Sequence, residues 1–147
     1  MALKRNEPRT PEEWIRRFLK AARERYATSE FLHEKGLFVD QAYLTGYVVE
    51  CALKALILHD TPRSDRETTL ESLRRGAASH DFERLKQLYQ RGGSQFPKEG
   101  TKILRRLVRY RWSTAGRYEV GKGNREEAST FLKDAKQFLE WVERRLS

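Results

Sequence analysis

Residues 45 to 59 read TGYVVECALKALILH, and no other stretch restricts the fold of the chain as strongly. At about 100° per residue, Leu44, Val48, Cys51 and Ala55 share one helical face, and Val49, Ala52, Leu53 and Leu56 widen it. Only a narrow sector holding Tyr43, Tyr47, Glu50 and Lys54 stays polar. A helix apolar over so much of its circumference must be surrounded by other elements. Glu50 and Lys54, four residues apart, are therefore a candidate buried polar cluster, paired with each other or with facing residues. Two accounts of the stripe remain open: an ion pair that fixes helix register, or part of a shared functional surface.

The surrounding elements also read as helices. Thr10-Pro11-Glu12-Glu13 is a start signal, with Thr10 as cap, Pro11 in the first position and Glu13 completing a capping box. That first helix carries Trp14, Phe18, Ala22, Ser29 and Leu32 at near-helical spacing and ends near residue 34, before Lys35-Gly36. The second spans about 39 to 59. A polar connection over 63 to 69 leads to a short helical turn at 70 to 75. The third helix starts at His80-Asp81, carries Phe82, Leu85, Leu88 and Tyr89, and stops at Gly92-Gly93. The fourth spans roughly 98 to 111. The fifth opens with the capping box Asn124-Arg125-Glu126-Glu127 and continues through Phe131, Phe138 and Val142 to Leu146. A chain of 147 residues is long enough for one such core and too short for two, and 9 Gly with 4 Pro are too few for a turn-rich β fold. The expectation is a single all-α domain over 1 to 147, an up-and-down bundle of four to five helices with its core at about 11 to 146 and a tail at 1 to 10.

Charge and reactive side chains bound the function. Lys and Arg outnumber Asp and Glu by 30 to 21, a net +9 that favours polyanionic partners. A lone Cys51 can form no intramolecular disulfide, and no His spacing suits zinc, so the expectation is a cytoplasmic protein with no metal and no cofactor. The N-terminus lacks an apolar leader and no stretch is read as a span of roughly 20 apolar residues, so no membrane partner is expected. The glycine pairs at 92 to 93 and around Lys122 lack the arrangement of a phosphate loop, and no nucleophile triad is visible.

Residues 42 to 58, AYLTGYVVECALKALIL, followed after a polar connection by HDFERL at 80 to 85, resemble the HEPN domain (higher eukaryotes and prokaryotes nucleotide-binding). A small-residue-rich second helix with Glu and then Leu-Lys-Ala, and a next helix opened by His-Asp-hydrophobic, are typical of that family. The segment RYRWSTAGRYE at 109 to 119 is similar to a common variant of it, and the resemblance covers roughly 18 to 146. It implies a compact bundle of four or five helices that dimerises through the face holding the functional residues. It also implies a defence or toxin–antitoxin setting, and work beside a nucleotidyltransferase encoded nearby.

Catalytic members of that family are metal-independent ribonucleases with Arg, four to six residues, then His. Arg neutralises the scissile phosphate while His moves protons at the attacking 2′-hydroxyl and the leaving oxygen. Arg75 and His80 match that spacing. They precede the third helix, however, whereas the motif belongs to a later one, and Gly76 stands where a polar residue usually follows the Arg. Helix four and its exit offer a second surface. Lys102, Arg105, Arg106 and Arg109 form a basic stripe, with Trp112, Arg117 and Tyr118 immediately after. Arg side chains there can hold phosphates while Trp112 or Tyr118 stacks on an unpaired base; the bland alternative is a solvated helix face with a core Trp. The reading that follows is a non-catalytic, homodimeric module that binds RNA or a nucleotide through this surface. An endoribonuclease using Arg75 and His80 at a dimer cleft, and a protein-interaction scaffold, are the alternatives.

Overall fold

The computed structural model describes residues 6–75, 80–91 and 95–147. Thr10 accepts a hydrogen bond from the Glu13 amide and Pro11 takes the first helical position, so α1 runs Pro11–Glu34. The capping box is only half made: the Glu13 carboxylate accepts from the Arg9 amide instead of returning to Thr10. α2 spans Phe38–Asp60. A 3-10 turn at Arg63–Asp65 leads directly into α3, Arg66–Arg74. α4 is Phe82–Gln90, capped by Asp81, and α5 is Lys98–Val108. A second 3-10 turn, Thr114–Tyr118, precedes α6, Arg125–Leu146, which Asn124 caps through the Glu127 amide.

Six α-helices and no strands among the described residues confirm the all-α bundle and correct the expected helix count. The extra element is α3. Its polar residues show no apolar period because only Leu70 and Leu73 are buried, so it reads as a connection with a single turn. α5 is shorter than expected at its C-terminal end, because Arg111 takes a left-handed φ of 52° and the chain leaves the helix through Tyr110. The expected stop at Gly92-Gly93, Gly76 and the first five residues lie outside the described residues.

α2 is the central rod, packed against α1 and α6 along most of its length and against α4 and α3 towards its C-terminal half. Val48, Val49, Ala52, Leu53 and residues 55 to 58 are essentially inaccessible to water. α2 is 23 residues long and holds an 18-residue window of mean hydropathy 1.2, which meets the measure of a membrane span by length and composition and corrects the expectation that no stretch does. In this fold 67% of that window is buried by the other helices, which makes it the core helix of a bundle.

Buried polar groups tie the rod to its neighbours. Gln41 Nε2 donates to Thr45 Oγ1 (2.9 Å) and to the Ala128 carbonyl at the start of α6 (3.1 Å), and its Oε1 faces His33 Nδ1 of α1 (3.1 Å). At the other end Asp60 accepts from Tyr89 of α4 (2.8 Å) and Arg145 of α6 (3.0 Å). No buried side-chain N or O lacks a partner among the described residues, as a well-formed core requires.

Candidate nucleic-acid interface

The polar sector of α2 is a continuous chain of contacts. The Tyr43 and Tyr47 hydroxyls lie 3.1 Å apart, and the Tyr47 ring meets the His80 ring edge-on at 6.4 Å. His80 Nδ1 sits 2.7 Å from Glu50 Oε1, and Lys54 Nζ donates to Glu50 Oε2 at 3.1 Å. Glu50 and Lys54 are buried, Lys54 also lying 5.9 Å from the Phe18 ring centroid, while His80 keeps about two-fifths of its side chain exposed. Burial raises the Tyr47 hydroxyl well above its ordinary value, with the Tyr43 hydrogen bond adding to it, so Tyr47 stays neutral. The Glu50 carboxylate is thus held between two nitrogen partners, Lys54 on α2 and His80, two residues before α4.

Arg75 and His80 are each engaged by a different carboxylate. Arg75 pairs with Glu71 at 2.6 Å on the exposed surface of α3, whereas His80 turns to Glu50 on α2. The four residues between them lie outside the described residues.

Trp112 is packed rather than free. Its indole N–H donates to the Tyr43 carbonyl (2.9 Å), Phe82 stacks on it at 5.4 Å and 6°, and Tyr47 meets it edge-on at 4.9 Å. Gly46 lets the indole approach the α2 backbone, since a β-carbon there would fall inside the ring. Of the two readings open for Trp112, a stacking platform or a core residue, this packing favours the second. Its role in the geometry is a wall.

That wall bounds a cleft of about 330 Å³ between the start of α2, the start of α6 and the loop carrying the second 3-10 turn. Phe38, Tyr43, Tyr110, Trp112 and Phe131 supply aromatic lining, and Arg111, Ser113, Asn124 and Glu127 supply polar groups. The volume is at the small end of ligand pockets, roughly 300–1,000 Å³. Arg111 lines the cleft in its left-handed conformation, the single non-glycine residue with positive φ among those described. Two further guanidiniums flank the lining: Arg117 approaches Tyr43 and lies 4.9 Å over the Tyr118 ring, and Arg125 lies 5.3 Å over Phe38.

The basic stripe of α5 divides in two. Arg106 turns to α6, where Asp134 (3.3 Å) and Gln137 (2.5 Å) hold it. Lys102, Arg105 and Arg109 remain on the exposed face with no ion pair among the described residues. Tyr118, 73% exposed, stands beside Arg117 beyond the end of that face in sequence. Among the described residues no group of three His, Cys, Asp or Glu could hold a metal ion.

Sequence reasoning missed the cleft because its walls come from three separate segments. The one local signal was the density of aromatic and basic residues from Tyr110 to Tyr118. Comparison with known proteins agrees in one respect: the HEPN domain family model matches residues 15–145, nearly the whole chain. No curated protein and no solved structure matches it.

Proposed function

Because the chain belongs to the HEPN domain family, a nucleotide- and RNA-related group of helical modules, we propose that it binds single-stranded RNA or a nucleotide without cleaving it, seating a base in the aromatic cleft and phosphates on the adjoining cations. The observation that carries this reading is the cleft itself, an aromatic slot with Arg111, Arg117 and Arg125 around it. Lys102, Arg105 and Arg109 extend the positive surface, and Tyr118 offers an exposed ring for a second base. Arg106, already held by Asp134, contributes less, and Trp112 acts by shaping the slot. Titration of a labelled RNA oligomer over a range of salt tests this. Each phosphate contact contributes about −0.7 to the slope of log affinity against log salt for a single strand, so Arg109→Ala flattens the slope by about that amount. Tyr118→Ala weakens binding with the slope unchanged. If neither RNA nor nucleotide binds at low salt, the interaction-scaffold reading takes its place.

One observation favours a second reading, the metal-independent endoribonuclease: Glu50 fixes one nitrogen of His80 while the ring stays partly open to solvent, the arrangement of an oriented general base. In that reading Arg75 and His80 of two subunits meet at a dimer cleft, and cleavage persists in chelator but is lost in both His80→Ala and Arg75→Ala. A monomer in sedimentation equilibrium at tens of micromolar, an order of magnitude typical of weak association, removes the homodimer on which that cleft depends. A neighbouring nucleotidyltransferase, a toxin–antitoxin setting and a cytoplasmic location belong to the same proposal, and the genes adjoining this one test the first two.

A further inference from the structure

Aromatic walls accept any base, so the polar groups of the cleft decide which base is held. Two of them are already committed on one side. Asn124 Oδ1 accepts from the Glu127 amide (3.0 Å), which leaves its Nδ2 as a donor, and Ser113 Oγ accepts from the Ala115 amide (3.2 Å), which leaves its O–H. Tyr110 Oη donates to Asp134 (3.0 Å) and has no proton left to give. Glu127, on the first turn of α6, brings a carboxylate that only accepts, with no side-chain partner of its own among the described residues. Glu127 and Tyr110 line the same cleft, and burial, Asp134 and then the Glu127 charge raise the Tyr110 hydroxyl to about 12.

Resting on the nucleotide-binding reading above, we infer that the cleft selects guanine, with the Glu127 carboxylate accepting from N1–H and the N2 amino group while Asn124 donates to O6. Guanine alone among the four bases offers two adjacent donors on its Watson–Crick edge. Adenine and cytosine set one amino donor beside a ring-nitrogen acceptor, and uracil flanks its single N3–H with two carbonyls. Against each of these the second carboxylate oxygen meets a lone pair, and an acceptor that the bound base covers without pairing it is costly. The direction of the nucleotide follows from charge. Glu119 and Glu127 line the cleft and repel phosphate there, whereas Arg117 and Arg125, which flank the lining over Tyr118 and Phe38, attract it at the mouth.

The test compares 5′-GMP, AMP, CMP and UMP by calorimetric or Trp-fluorescence titration, beside two RNA pentamers that differ by one G or A. The wild type is expected to prefer GMP by about ten- to hundredfold, the discrimination of one good bidentate pair. Glu127→Gln should bring the GMP to AMP ratio near one, because a carboxamide can pair with adenine through its own donor and acceptor. Its melting temperature, measured alongside, shows that the variant is folded. A guanine preference in the pentamers without one among mononucleotides supports the inference for a base within a strand. Equal binding of all four bases overturns the guanine assignment and leaves the nucleotide module standing. A preference that survives in folded Glu127→Gln overturns the role of Glu127. No binding of any probe removes both readings together.

Discussion

Gly46→Ala is expected to destabilise this protein, against the ordinary rule. In a helix interior Ala is better than Gly by about 1 kcal/mol, so an unopposed change would stabilise. Gly46 is buried in the middle of α2, and the new methyl would occupy the space of the Trp112 indole. Either the helix moves or the indole does. Moving the indole forfeits its hydrogen bond to the Tyr43 carbonyl, about 1 kcal/mol, and its stacking on Phe82, about another 1 kcal/mol. Forcing a methyl into a filled core costs a further 1–3 kcal/mol or so. Set against the helix-propensity gain, the net loss is about 2–4 kcal/mol. For a chain of 147 residues that corresponds to a melting temperature lower by roughly 6–12 °C. Urea and thermal unfolding read the loss directly. The double variant with Trp112→Leu isolates its cause, since without the indole Gly46→Ala should become neutral or stabilising. A single variant that melts at or above the wild-type temperature would show that Trp112 does not rest on α2, and the wall of the cleft would go with it.

Three further outcomes are expected. Lys54→Ala should lose about 3–5 kcal/mol in urea unfolding, because Glu50 is buried and keeps only His80, and Lys54→Met should lose less because its side chain refills the volume; wild-type melting in both would mean the pair is solvated. Burial pushes the Asp60 carboxyl up, but hydrogen bonds from His59, Tyr89 and Arg145 outweigh that and hold it below the usual 3.8. Its stabilising effect is therefore present above that value and lost as pH falls through the depressed one, so Asp60→Asn should melt with a flatter acid limb than the wild type. Arg111→Gly should raise stability by about 1 kcal/mol, the cost of a left-handed side-chain-bearing residue, while weakening nucleotide binding; unchanged binding would show that the arginine serves no ligand.

The helices were legible where local chemistry decides them. Thr10 and Asn124 are capping side chains whatever the rest of the chain does, and the breadth of the apolar surface of α2 could only mean a central position. α3 reads from sequence as a single turn because an exposed helix anchored by Leu70 and Leu73 alone leaves no period to read. The site was less visible for a geometric reason. On helical spacing Arg106 is equivalent to Lys102 and Arg109, and only Asp134, 28 residues on, takes it out of the stripe. Trp112 likewise reads from sequence as either a platform or a core residue, because the partners that pack it, Gly46 and Phe82, stand 66 and 30 residues before it. His80 shows the reverse: the sequence supplied a spacing to Arg75, and the fold gives it Glu50 instead.

The charges in the middle of α2 also matter before the bundle exists. α6, one of the two main covers of this helix, begins about 65 residues after α2 ends, so the nascent chain carries α2 without that cover for some seconds at roughly 5–20 residues per second. During that interval α2 presents an 18-residue window of mean hydropathy 1.2, within the length and composition of a membrane span. Glu50 and Lys54 stand near its midpoint, where a lysine raises the cost of insertion by about 2.5–3.5 kcal/mol. The pair whose Glu50 holds His80 in the finished protein thus also sets a cost against membrane insertion of the unfinished one, so replacing both by apolar residues would make a more hydrophobic core and remove that cost.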